Sequence, residues 1–215
     1  AECAGYAVAH AIHGHHRGRS IRASNISWCI LYSNAEKKNY MINWSNFKVV
    51  GRERECLVDA FNSGWVSGGP YVEKLEFELE RIFTGSTALT VSNGTSALQL
   101  AFQALDITRG DHVIVPSFCF QAASNVLLQL GAEPIFCDVD PLNWNQTVQS
   151  IKKARTDRTV GVVVVHNYGI AAPIADISDW TKEQGLWLIE DCSDAWFTQH
   201  ADRYVGQFGD IATFS

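Results

Sequence analysis

The stretch VGVVVVHNYGIAAPIADISDWTKEQGLWLIED, residues 160–191, decides the fold. Its opening, Val160–Val165, is an unbroken, mostly β-branched apolar run of the kind that suits a parallel strand covered on both faces. Ile174–Glu183 then carries apolar residues at helical spacing, and Leu186–Glu190 is apolar again up to a pair of carboxylates, Glu190 and Asp191. Strand, helix, strand at this spacing is the repeating unit of a parallel sheet.

Working upstream, the same alternation continues. A helix is expected over Val148–Ala154, a strand at Pro134–Cys137, and a helix over Ala122–Leu130 that ends at Gly131, where a left-handed cap belongs. His112–Val115 reads as a buried strand, Thr95–Leu105 as a helix with Ala97, Leu98, Ala101, Ala104 and Leu105 on one face, and Ala88–Ser92 as a strand. Before these, Gly51–Asn62 reads as a helix with Cys56, Leu57, Ala60 and Phe61 on one side. The glycine-rich loop Ser63–Pro70 follows, and Pro70 opens a second helix. Downstream lie two short segments, around Tyr204-Val205 and Ile211–Phe214. The sum is a doubly wound α/β sheet. In such sheets ligands sit beyond the carboxyl ends of the strands, so the polar residues just after each strand matter most.

Composition agrees with an ordinary folded globular chain and excludes other classes. The 215 residues are 47% hydrophobic and 19% charged, within the range of ordinary globular proteins. A formal net charge of −6 lacks the basic surface that nucleic acid requires. No apolar run is long enough to span a bilayer, so a soluble chain with no membrane partner is expected. The six cysteines show no C-x-x-C pair, which fits a reducing cytoplasm. Residues 1–40 lack a sustained period. Their His13-Gly14-His15-His16 patch could bind a metal, but the plainer reading is a disordered or non-native leader, and no metal site is assigned. The chain ends at Phe214-Ser215 inside an expected strand, which reads as a truncated domain.

Three groups at the strand ends could carry chemistry. Gly94-Thr95-Ser96 opens a helix, where unpaired N–H groups and the positive end of the helix dipole favour an anion. Thr or Ser there is also an ordinary cap. Neither G-x-G-x-x-G nor G-K-[ST] is present, so a dinucleotide or P-loop reading lacks its fingerprint. Phe118 and Phe120 follow the next strand; either suits stacking on a planar ring, and taken alone they read as core. Asp191 ends an apolar strand, where a carboxylate needs a partner or its pKa rises. A protonated pyridine nitrogen is one partner, and capping a following helix is the alternative.

Taken together and in order, several runs resemble the DegT/DnrJ/EryC1/StrS family of nucleotide-sugar aminotransferases along nearly all of residues 41–215. They are Ser63–Pro70, Val91–Leu98, Val113–Phe118, Phe136–Asp140, His166–Gly169, Ile189–Cys192 and Gly209–Ser215. The resemblance implies the large domain of the aspartate-aminotransferase fold (fold type I), three-layered with a mostly parallel sheet and truncated here. It implies a leader at 1–40, an N-terminal helical segment at 41–85 and a partial cofactor-binding domain at 86–215.

It also implies pyridoxal 5'-phosphate as cofactor. Gly94, Thr95 and Ser96 would hold the phosphate through backbone N–H and hydroxyl groups, and Ser215 would contact it too. Phe120 would stack on the ring and Asp191 would bond the pyridinium nitrogen. Asp194 stands near the phenolic oxygen, where many members carry Gln or His. The Schiff-base lysine would lie five residues beyond Ser215, and no lysine in this chain matches that position, so the 215-residue polypeptide is expected to be inactive alone. The implied reaction moves an amino group, usually from glutamate, onto a nucleotide-linked ketosugar, in a homodimer whose partner completes each site.

Asp194, with Asp191 in an Asp-x-x-Asp-Ala pattern, looks more like the family's ketosugar 3-dehydratase branch, in which histidine replaces the lysine. Trp196 is unusual in either branch. A non-catalytic homologue is the third reading.

Overall fold

A computed structural model describes residues 48–65 and 67–215. The His-rich patch and the whole 1–40 leader reading lie outside them. Five parallel strands, β1 (His112–Pro116), β2 (Glu133–Cys137), β3 (Thr159–Val165), β4 (Trp187–Asp191) and β7 (Ile211–Thr213), form one sheet in the order β2-β1-β3-β4-β7. The chain builds outward from β1 in both directions. The strand order therefore reverses between β1 and β3, which opens a crevice at their carboxyl ends. A two-stranded antiparallel ribbon, β5 (Gln199–His200) with β6 (Arg203–Tyr204), lies on the path from β4 to β7.

The sheet alternates strictly, and this sets the layers. Val113, Val115, Val163, Val165 and Ile189 face α3 (Gly94–Ala104) and α4 (Ala122–Leu130), where Leu98, Phe102, Val126 and Leu127 are buried. Ile114, Val162, Val164 and Leu188 face α5 (Val148–Ala154) and α6 (Ile174–Gln184), against Ile151, Ile174 and Ile177. Successive strand residues point to opposite faces. Two consecutive polar residues at the end of β4 therefore enter different layers: Glu190 that of α5 and α6, Asp191 that of α3 and α4.

Local signals explain the helix ends. Gly131 caps α4 in the left-handed region at φ 80, donating to carbonyls of Leu127 and Leu128. Thr147 opens α5 with a reciprocal capping box to Ser150. Asn93 opens α3, its Oδ1 accepting from the Ser96 N–H at 2.9 Å. Asn93→Ala is expected to cost about 1 kcal/mol of stability, measured as a drop in urea midpoint with unchanged slope.

Two expectations need correction. Among the described residues Ala88–Ser92 pairs with no strand; it and β7 both line a cavity of about 900 Å3. A strand forms only against a neighbour, and β7 pairs only with β4. The first helix, α1 (Glu53–Ser63), forms almost where expected, but its apolar side is not core: Leu57 is 71% and Phe61 74% exposed. α2 (Pro70–Ile82) starts at Pro70 as read and likewise has no fully buried residue. Among the described residues the four cysteines are free, and no helix is long and apolar enough to cross a membrane.

Candidate active site

The carboxyl ends of β4 and β7 and the amino end of α3 converge on one rim. Gly94 is buried, and a Cβ built on it would stand 2.8 Å from Ser215 Cβ, 3.2 Å from Ser215 Oγ and 3.5 Å from Ser193 Oγ. Ser193 donates to Asp191 Oδ1 through both its hydroxyl, at 2.6 Å, and its N–H, at 3.1 Å. The helix start, two serine hydroxyls and the buried carboxylate thus form a continuous surface. Glycine at position 94 lets Ser215 pack closely against the start of α3; a Cβ there would overlap the serine.

Each group has defined chemistry. The positive end of α3 points into the rim. The Ser96 N–H is committed to the Asn93 cap and its hydroxyl lies 3.1 Å from Ser92 Oγ. This corrects the expectation that both Thr95 and Ser96 offer free backbone donors: Thr95 alone keeps its N–H and hydroxyl uncommitted among the described residues. Asp191 is only 6% exposed. Burial pushes its carboxyl above the usual range, and the two Ser193 bonds work against that push. Both bonds fall on Oδ1, so Oδ2 has no hydrogen-bond partner among the described residues. A buried carboxylate with one free oxygen suits a cationic N–H donor.

The flanks are aromatic. Phe120 is 82% exposed and makes no ring contact among the described residues. Phe118, which read equally as a stacking residue, instead packs against Trp144 and Tyr168. Asp194 is exposed, three residues past Asp191, and its charge adds to the upward push on the Asp191 carboxyl. Trp196 donates from Nε1 to the Ser215 carbonyl at 2.7 Å and lies against Phe214 at 4.7 Å. Cys119 is no ready nucleophile, since burial, with a contribution from Asp191, raises its thiol to about 11.

Residues 49–215 match the family described as the DegT/DnrJ/EryC1/StrS aminotransferase family. The chain belongs to it. This DegT/DnrJ/EryC1/StrS family chain is 43% identical over 166 residues to the GDP-perosamine synthase of Vibrio cholerae, covering 77% of this chain and 45% of the relative. Among solved structures it superposes on an aminotransferase from Psychrobacter cryohalolentis with a TM-score of 0.74 at 33% identity, covering 81% of this chain and 44% of the other. It also superposes on NtdA from Bacillus subtilis, solved with bound cofactor PMP, with a TM-score of 0.69 at 28% identity, over 75% of this chain and 36% of that one. The family chain spans about half the length of the curated relatives it matches. Its sheet is the mostly parallel sheet of those aminotransferase structures.

One feature of the family chain was not anticipated from sequence. Glu190 is fully buried and accepts four hydrogen bonds. Two reach Oε1, from the Phe208 and Gly209 N–H groups at 2.7 Å each; two reach Oε2, from Gly206 N–H at 2.8 Å and His166 Nε2 at 3.1 Å. His166 Nδ1 accepts from the Ala172 N–H at 3.1 Å, so the ring proton sits on Nε2 and the imidazole is neutral. Burial would push the Glu190 carboxyl up, but the bonds from His166, Gly206 and Gly209 outweigh it and hold it below the usual range. His166, Glu190 and Cys192 also bring metal-capable atoms within 4.8 Å of one another. Both ring nitrogens and both carboxylate oxygens are already committed to the protein, which leaves no lone pair aimed at an ion.

Proposed function

We propose that this chain holds pyridoxal 5'-phosphate on the rim between α3, β4 and β7, as part of an enzyme that transfers an amino group to a nucleotide-linked ketosugar. The amino donor is glutamate, and two copies of the complete protein form the working unit in the cytoplasm. One observation carries this: Gly94, Ser215, Ser193 and Asp191 meet on one rim, with a helix end suited to an anion on one side and a buried half-free carboxylate on the other. Such a pair of ends fits a ring bearing a phosphate at one edge and a protonated nitrogen at the other. The family assignment and the cofactor PMP in NtdA support the same reading. The nucleotide-sugar substrate is supported by the GDP-perosamine synthase relative.

The residues divide the work as follows. The uncommitted Thr95 N–H and hydroxyl, with the Ser96 and Ser215 hydroxyls, would bind the phosphate, and Gly94 lets Ser215 approach the helix start. Asp191 Oδ2 accepts the pyridinium proton and keeps it in place; a hydrogen bond to a charged group contributes about 1.5–3 kcal/mol. Pyridoxal phosphate, when bound with that proton, supplies an electron sink for the carbanion of amino transfer. Phe120 is exposed and free to cover one ring face. Asp194 would stand near the ring's phenolic oxygen. The proton-shuttling nucleophile is a lysine at the fifth position after Ser215. The exposed apolar faces of α1 and α2, with Leu57, Phe61 and Phe77 each more than 60% exposed, are the surfaces that the remaining domain and the partner subunit cover.

A polypeptide carrying lysine five positions beyond Ser215 is expected to develop an absorbance band with added pyridoxal phosphate and to lose it when that lysine is replaced. A colourless extended protein that ignores added pyridoxal phosphate sinks the reading. Asp194, in place of Gln or His, favours one second reading, a ketosugar 3-dehydratase. Histidine instead of lysine at that fifth position selects it.

A further inference from the structure

Granted that the rim at Gly94 and Ser215 holds a phosphate, we infer that Glu190 is a positioning residue for it: its carboxylate, on the opposite face of the sheet, locks the 206–209 turn and through that turn sets the phosphate-facing end of β7.

The path is continuous. Glu190 accepts the N–H groups of Gly206, Phe208 and Gly209. Gly206 sits at φ 92, and a Cβ there would stand 2.8 Å from Phe214 Cζ, so its bare backbone is the surface on which the Phe214 ring rests. Phe214 packs on Trp196, whose Nε1 holds the Ser215 carbonyl, and Ser215 faces Gly94. The far end of the turn is pinned as well: Asp210 N–H donates to the Leu188 carbonyl at 2.8 Å, and the Leu188 N–H donates to Asp210 Oδ2 at 2.8 Å. A displaced turn would carry Phe214 and Ser215 with it, and the serine hydroxyl would leave the rim.

No neutral side chain substitutes for this carboxylate. Glutamine would place an NH2 where the protein presents only donors: two backbone N–H groups at Oε1, or Gly206 N–H and the His166 Nε2–H at Oε2. His166 cannot relieve the conflict by shifting its proton, because Nδ1 is occupied by the Ala172 N–H. Either way two contacts are lost, and at least one of them is a contact to the turn.

The geometry also separates this role from general support of the core. His166 touches the same carboxylate but not the turn. His166→Phe strips one bond from Glu190 and leaves the Ala172 N–H unpaired, yet keeps all three turn contacts.

The test uses the full chain, titrated with pyridoxal phosphate by absorbance and, separately, with inorganic phosphate by protection from thermal unfolding. Glu190→Gln is expected to weaken pyridoxal phosphate binding about tenfold or more, the loss that follows from leaving a buried donor unpaired. His166→Phe is expected to lower the melting temperature comparably but to keep the affinity within about twofold, as suits a group that does not touch the turn. Gly206→Ala, which leaves Glu190 intact and drives a methyl into Phe214, is expected to reproduce the affinity loss, and keeps the test available if Glu190→Gln does not fold. Equal affinity losses in Glu190→Gln and His166→Phe, or wild-type affinity in either Glu190→Gln or Gly206→Ala, overturns the positioning role while the cofactor reading stands. A wild-type chain that binds neither probe overturns both.

Discussion

Asp191→Asn is expected to raise the melting temperature of the cofactor-free protein and at the same time to abolish most of the amino-transfer activity of the complete enzyme. The two effects have one cause. The wild-type carboxyl is buried, and burial lifts its pKa above the unfolded value. The folded state therefore binds this proton more readily than the unfolded state, so the group's contribution to stability falls as pH rises through its folded pKa. At neutral pH the ionised, half-satisfied carboxylate is a cost, and asparagine removes it. The gain in melting temperature should shrink as the pH is lowered and Asp191 itself becomes protonated. Activity moves oppositely, because an amide cannot hold a pyridinium proton as a carboxylate does. The lost charged hydrogen bond, about 1.5–3 kcal/mol, predicts roughly a 10- to 150-fold fall in kcat/KM. Thermal melts across pH and steady-state kinetics check the pair. A variant less stable at neutral pH with unchanged kinetics would refute the role of Asp191.

The largest stability loss is expected at Phe102→Ala. Phe102 is fully buried in the last turn of α3, within the cluster that includes Leu98, Val115 and Val126. Emptying such a site costs roughly 3–5 kcal/mol. At about 2–4 °C per kcal/mol for a chain of this size, the melting temperature should fall by around 10 °C or more. α3 also carries Gly94 at its first turn, so the loss should include weaker binding of inorganic phosphate before global unfolding. Melting curves with and without phosphate separate the two.

How much of this was readable in advance differs element by element. α4 and α5 lie at the boundaries that sequence predicts, because Gly131 needs a left-handed conformation and Val148–Ala154 follows a capping threonine; both signals are local. The layers also follow from a local property, strand alternation. The juxtaposition of Gly94 with Ser215 spans 121 positions and was accessible only through the family resemblance, which assigns both to the phosphate. Ala88–Ser92 failed because strand identity depends on a partner that no local pattern records. The exposure of α1 failed because an apolar helical face looks the same whether it is covered within its own domain or elsewhere. The Glu190 hub was invisible for another reason. Its donors are backbone N–H groups of a turn 16 to 19 residues away, and backbone leaves no mark in side-chain composition.

The end of β4 restricts what evolution can do with this strand. Two adjacent acids serve opposite faces, one held by a turn and the other open to the rim. Point changes in Trp187 or Leu188 alter only local packing. Adding or deleting a single residue inside the strand would exchange the two acids between layers. Glu190 would then enter the rim, and Asp191, one methylene shorter, would fall short of the turn. Lengths within β4 should thus be invariant among working relatives, while gaps gather in the loops on either side.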